Sequence, residues 1–158
     1  MPIPLGPFDL FEPIGHGGMG VVYGALHRQQ NIPVAIKILS GTRARQARSI
    51  EAFRNEVRSV AGLSHPNIIM VLAHGEVTRR ASKMSDGELV MGSPYLAMEL
   101  ATGGSLAQIT QPLPWQDIKH VLLILLDSLA HAHARGVVHR DLKPGNVLIC
   151  VNDDVRPG

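Results

Sequence analysis

His139-Arg140-Asp141-Leu142-Lys143-Pro144-Gly145-Asn146 sets an acid and an amide five positions apart with a lysine between them. The octet lies between a long apolar helical pattern and a run rich in β-branched residues, Val147-Leu148-Ile149-Cys150-Val151. A carboxylate in such a loop can accept a proton from an attacking hydroxyl, and an asparagine amide oxygen can ligate a hard cation such as Mg²⁺. A lysine beside them can neutralise a phosphoryl group in transit, because its ammonium is a compact, mobile charge.

Composition narrows the remaining classes. A chain of 158 residues with 45% hydrophobic content can bury a core and is expected to fold. Its formal charge of +2 is too small for a nucleic-acid binder, and no nucleic-acid partner is expected. The densest basic cluster, Arg43 to Arg48, reads as a solvated face where a loop enters a helix. The longest apolar run, Val121 to Leu126, is too short to cross a bilayer, and the first residues carry no secretory signal. A single cysteine, Cys150, excludes an internal disulfide and fits a reducing compartment, so a cytoplasmic location is expected. Its apolar surroundings predict burial. The eight histidines are dispersed; His131 and His133, two apart on a helix, do not share a face, and no zinc site is expected.

From Phe8 to Ile14 the chain reads as a strand that runs into Gly15-His16-Gly17-Gly18-Met19-Gly20. The spacing G-x-G-x-x-G serves several phosphate-binding designs. A dinucleotide fold needs a helix next, and a Walker loop needs lysine after the last glycine. Here the β-forming Val21-Val22-Tyr23 follows, which predicts a strand-turn-strand hairpin able to close over phosphates. A glycine-rich hairpin with no ligand is the alternative.

Ile32 to Leu39 alternates as a strand carrying one charge, Lys37, read as facing inward among Val34, Ile36 and Ile38. Such a charge needs a partner. Ile50, Phe53, Val57 and Val60 recur at helical spacing between Gln46 and Leu63, and the acids there are Glu51 and Glu56. A strand is expected up to Val77, then a long polar connection from Thr78 to Ser93 that contains Arg79-Arg80-Ala81-Ser82, which looks like a site for basic-directed phosphorylation. Tyr95 to Leu100 reads as a buried strand. After Pro114 a helix is expected to Arg135, with Ile118, Val121, Leu122, Leu125, Leu129 and Ala132 on one stripe and Gly136 as its cap.

Taken together these motifs resemble the eukaryotic-type serine/threonine protein kinases of bacteria. The octet matches H-R-D-L-x-x-x-N, the glycine cluster matches G-x-G-x-x-G-x-V, and Val34-Ala35-Ile36-Lys37 matches the third-strand lysine motif. The resemblance implies an α+β protein-kinase fold: a five-stranded antiparallel N-lobe with one helix, and a truncated helical C-lobe. The domain would occupy residues 8–158, with the N-lobe at 8–98, a hinge at 99–104 and a partial C-lobe at 105–158. It implies transfer of the ATP γ-phosphate to a protein Ser or Thr hydroxyl, with ATP and Mg²⁺ required. Asp141 would orient the hydroxyl and accept its proton, Lys143 would steady the transferred group, and Asn146 would hold the metal. Lys37, fixed by Glu56, would hold the α- and β-phosphates; a solvated Glu56 pairing with an arginine is the alternative. Residues Ile14 to Gly20 would cover the nucleotide. Val22, Ala35 and Leu148 would sandwich the adenine, Met98 would guard its back, and the backbone of Glu99 and Ala101 would bond its edge. Plain core packing reads the apolar members equally well.

The chain ends before an Asp-Phe-Gly segment; Asp153 and Asp154 lack the following Phe-Gly and read as a turn. The chain is therefore expected to be the amino-terminal portion of a catalytic domain. Apolar surface on the Ile118 to Ala132 helix should lie uncovered, and a nucleotide-binding or regulatory fragment without transferase activity is the rival function.

Overall fold

The computed structural model describes residues 1–17 and 20–150. The expectations for Gly18, Met19, Val151, Asp153 and Asp154 lie outside the described residues. The chain divides into two compact units, one from residues 1–61 and 71–100, the other from 62–70 and 101–150.

The first unit is a six-stranded antiparallel sheet. Its strands are β1 (Ile3–Leu5), β2 (Phe8–Gly17), β3 (Gly20–His27), β4 (Ile32–Leu39), β5 (Val71–Glu76) and β6 (Pro94–Glu99), in the order β1-β2-β3-β4-β6-β5. It has one strand more than the five expected, because Ile3–Leu5 adds to the edge through the pairs Ile3↔Leu10 and Leu5↔Phe8. Gly6, at φ 56°, makes the connecting turn, and Arg28 ties it down by donating to the Gly6 and Phe8 carbonyls and to Asp9.

Alternation along the strands sorts side chains onto two faces. Tyr23, Ala25, Val34, Ile36, Ile38 and Ala97 join Phe8, Leu10, Val77, Ala81 and Leu89 in the larger core. Leu39 and Leu96 look the other way, onto the helix α1 (Ala47–Val60), whose Phe53 and Val57 are buried there. The face assigned to Lys37 is therefore corrected. Being one residue from both Ile36 and Ile38, it points to the α1 side, opposite Val34, Ile36 and Ile38.

The polar connection after β5 is more ordered than a loop. It contains a six-residue helix, α2 (Arg79–Met84), whose N-cap Thr78 accepts a hydrogen bond from Ala81 N–H. Six residues with one buried position give no periodicity for a sequence reading to detect.

The second unit is built on α3 (Trp115–His133). Gly136, at φ 74°, stops it: Gly136 N–H donates to the His133 carbonyl and Val137 N–H to the Ala132 carbonyl. The segment before β5 lies on this helix. His65 Nε2 meets Asp127 Oδ2 at 3.0 Å, its Nδ1 accepts from Asn67 N–H at 3.1 Å, and its ring stacks tilted on His131 at 5.0 Å. Burial pushes the His131 imidazole below its ordinary pKa; Arg135 and His65 push the same way and Asp127 opposes them.

The apolar stripe expected on α3 is split. Ala132 is buried and Val121, Leu125 and Leu129 are half-buried, whereas Ile118 and Leu122 are exposed together with Trp115, Leu123 and Leu126. The uncovered apolar surface expected on this helix is thus present. The predicted strand Val147 to Val151 is reduced, over its described part, to a single bridge, Ser105↔Leu148. Cys150 is exposed, correcting the expectation of burial. No helix among the described residues is long and apolar enough to cross a membrane.

Candidate active site

In the first unit, register assembles most of the residues expected to hold a nucleotide. Val22 pairs with Lys37, Gly24 with Ala35, and Ala35 with Met98, so Val22, Ala35, Lys37 and Met98 share the α1 face of the sheet. Ile14 sits where the β2 register slips between Pro13 and Gly15. A Cβ on Gly24 would meet Ile14 Cγ2 at 3.4 Å, which puts Ile14 over the same face. Gly15 pairs with Val22, His16 with Val21, and Gly17 with Gly20. A Cβ on Gly20 would strike the Ile38 carbonyl, so only glycine lets β3 approach β4 there.

Lys37 Nζ donates to Glu56 Oε1 at 2.7 Å, with the lysine side chain 22% and the glutamate 36% exposed. Glu56 reaches it because α1 places Phe53 and Glu56, three apart, on one face. The ammonium also lies 5.7 Å from the Phe53 ring centroid, a cation–π contact. The apolar periodicity of α1 marks Phe53 only as core; its spacing of three from Glu56 is the signal for this second role. The alternative in which Glu56 pairs with an arginine is not what forms: Arg54 instead pairs with Glu76. Glu99 is buried and its residue pairs with Val34, so its side chain lies on the opposite face from Met98.

The second unit holds the remaining residues. Asp141 is the centre of a small network. Lys143 Nζ donates to Asp141 Oδ2 at 2.8 Å; Asn146 Nδ2 donates to the Asp141 carbonyl at 2.7 Å and to Oδ2 at 3.1 Å. The lysine hydrogen bond and then the asparagine bond hold the carboxyl below the ordinary carboxylate range; desolvation opposes them, and the charges of Lys143 and His139 assist. Asn146 turns its NH₂ toward Asp141, leaving the amide oxygen on the other side as a hard donor suited to Mg²⁺.

Local backbone chemistry shapes this loop. Arg140 sits at φ 61°, a left-handed conformation that costs a non-glycine residue on the order of 1 kcal/mol. Asp141 N–H closes a tight turn on the His139 carbonyl at 2.8 Å. Pro144 opens the 3₁₀ turn Pro144–Asn146, where its missing N–H is harmless. Beyond the turn the chain is clamped: Leu106 N–H donates to the Val147 carbonyl, Ile149 N–H to Gly104 and Gly103 N–H to Ile149, each at 2.8 Å. Ala101, at the start of this unit, is half-buried, and Leu148 is largely exposed. His139 is exposed, and its Nδ1 lies 3.4 Å from Asp141 N.

The chain is 35% identical over 147 residues to the probable serine/threonine-protein kinase PknB of Bifidobacterium longum, covering 91% of this chain and 21% of that protein. It is 36% identical over 155 residues to the serine/threonine-protein kinase PknA of Mycobacterium tuberculosis, covering 96% of this chain and 34% of that protein. The chain thus spans between about a fifth and about a third of these relatives. The crystal structure of the Mycobacterium tuberculosis PknI kinase domain superposes with a TM-score of 0.74 at 26% identity, over 96% of this chain and 58% of that one. Residues 8–156 match the protein kinase domain as a family. That match spans most of the chain, and the chain belongs to the protein kinase domain family.

Proposed function

We propose that this chain contributes the nucleotide-binding and catalytic-loop parts of an ATP-dependent serine/threonine protein kinase. Residues 8–98 would act as the N-lobe, 99–104 as the hinge and 105–158 as part of the C-lobe. The partners are ATP and a protein bearing a Ser or Thr acceptor, in the cytoplasm. The single observation that carries the reading is the Asp141 network, which keeps a carboxylate ionised with an ammonium and an amide fixed around it.

Each residue then has a task. Asp141 accepts a hydrogen bond from the acceptor hydroxyl, aligns its oxygen with the γ-phosphorus, and takes the proton as the new P–O bond forms and the bond to the β-phosphate oxygen breaks. A carboxyl acidified in this way is a weak base, so it orients the hydroxyl early and receives the proton late. Lys143, paired with Asp141 beforehand, can shift its ammonium toward the moving phosphoryl group. Lys37, oriented by Glu56 and Phe53, binds the α- and β-phosphates. Ile14, Val22, Ala35, Met98 and Leu148 bury the adenine, the backbone of Glu99 and Ala101 bonds its edge, and the loop from Gly15 to Gly20 covers the phosphates. Asn146 would hold Mg²⁺ through its amide oxygen, and the ion would neutralise charge on the phosphates.

The test is transfer of labelled phosphate from ATP to a generic basic protein, with the chain alone and with the chain extended through an Asp-Phe-Gly segment. Transfer that Asp141→Asn abolishes supports the reading. Thermal stabilisation by ATP with no transfer from either protein would assign a nucleotide-binding module instead.

A further inference from the structure

The insertion between β5 and β6 has no part in the function proposed above, yet it is firmly built. Val77 N–H donates to the Ser93 carbonyl at 2.8 Å and Gly92 N–H to the Val77 carbonyl at 2.9 Å, so the ends of the insertion close on each other. Ser85 Oγ donates to the Ser82 carbonyl at 2.9 Å and accepts from Leu89 N–H at 3.0 Å. Ala81 and Leu89 are buried in the larger core. These contacts fix which face of α2 looks outward.

That outer face is strongly basic. Arg79, Arg80 and Lys83 are exposed, and with Met84 they line an open depression whose floor is largely apolar. The floor is made of aliphatic stems and the thioether, with charges at the rim. Among the described residues none of the three cations has an ion-pair partner, although Asp86 and Glu88 belong to the same insertion. By contrast, Arg28 and Arg54 on the same unit are paired with Asp9 and Glu76. Three exposed cations without ion-pair partners among the described residues thus gather on one face of a helix whose backbone is anchored to the core.

Size and chemistry select the occupant. Membrane attachment by charge takes clusters of roughly four to eight basic residues, more than this helix offers. A nucleic-acid duplex calls for a basic stripe on a strongly basic domain, and the whole chain carries only +2. Two guanidinium forks beside an ammonium match successive carboxylates, and the apolar floor matches one large hydrophobic side chain among them. We propose that the α2 surface docks an acidic segment of a partner protein, with carboxylates on Arg79, Arg80 and Lys83 and an apolar side chain over Met84. Docking of this kind does not require phosphoryl transfer, so it can fail or succeed independently of the kinase reading.

The experiment is fluorescence anisotropy of a fluorescein-labelled acidic peptide, alternating Glu and Asp with a central Leu, titrated with the 158-residue chain. Saturable binding is expected, weakened about tenfold or more by R79E/R80E/K83E and clearly weakened by the neutral R79Q/R80Q/K83Q. The control R43E/R45E/R48E, which reverses the other basic cluster, should stay within about twofold of the unmodified chain. Circular dichroism of each variant establishes that the fold is kept, and any misfolded variant leaves the decision to the neutral one. Peptide binding that is absent, or that survives both α2 variants, overturns the proposal. So does α2-dependent binding to phosphatidylserine vesicles or to a DNA duplex that is tighter than binding to the peptide.

Discussion

Asp141 owes its acidity to contacts that can be removed one at a time. Lys143 is the largest cause, so Lys143→Met should raise the Asp141 pKa toward the ordinary carboxylate value, read by carbon-detected NMR of the side-chain carboxyl. The sign is fixed by linkage. A carboxyl with a depressed pKa favours the ordered loop above its unfolded value, and that contribution disappears as pH falls through the lower, folded value. Loop order should therefore hold through neutral and mildly acidic solution and fail only below the usual carboxylate range. Lys37 poses a different question, since its pair with Glu56 is partly solvated. Lys37→Met should change folding stability by no more than about 1 kcal/mol. It should nevertheless remove ATP-dependent stabilisation and cut transfer by about a hundredfold or more, measured side by side on one preparation. Ser93 Oγ is buried with no hydrogen-bond partner among the described residues. Ser93→Ala should thus leave the melting temperature unchanged or raise it, by up to about 1 kcal/mol of stability, and a clear fall would mean that the hydroxyl has a partner.

At the scale of elements, close approach of backbone matters more than side-chain identity. Gly103 lies where a Cβ would come 2.5 Å from the Ile149 carbonyl oxygen and 2.8 Å from the Ile149 side chain. Gly103→Ala should therefore push apart the pairing between residues 103–106 and 147–149, costing about 1–3 kcal/mol. Loss of slow hydrogen exchange at Ile149 N–H, which donates to Gly104, is the direct readout. That pairing also explains what the sequence could and could not convey. Ile32–Leu39 was legible because strict alternation marks a strand, and α1 because Ile50, Phe53, Val57 and Val60 keep helical spacing. Val147 to Cys150 looked like a strand by composition, but its partner is a glycine-containing turn some forty residues upstream that offers one bridge, a non-local fact. The same limit hid β1, three residues whose only signal is the edge they join. The face of Lys37 is hidden for a local reason: its neighbours in sequence, Ile36 and Ile38, are not its neighbours in space, which are Val22, Leu96 and Phe53.

Across the whole molecule, the exposed face of α3 stands out as a source of association. Trp115, Ile118, Leu122 and Leu126 follow one another at spacings of three and four, so they form a continuous stripe along the helix, with Leu123 beside it. Trp115 is 69% exposed and Leu126 62%, while Ile118 and Leu122 are 37% and 48% exposed, so a large share of the stripe's apolar area meets water. Burying a leucine fully is worth roughly 1.5–3 kcal/mol, so covering this stripe would gain several kcal/mol even after partial burial is discounted. Such a gain competes with the cost of bringing two chains together, and at high protein concentration it should prevail. The 158-residue chain should self-associate in sedimentation velocity, with a weight-average sedimentation coefficient that rises with concentration. Leu122→Glu with Leu126→Glu places two charges on the stripe and leaves the buried Ser128 and Ala132 side of α3 intact. This double variant should shift the concentration for half-association upward by about tenfold or more. It should keep the same circular dichroism and the same thermal response to ATP, since neither altered residue is among those assigned to the nucleotide or to Mg²⁺. A chain that stays monomeric without the charges would show that the stripe is too dispersed to drive association.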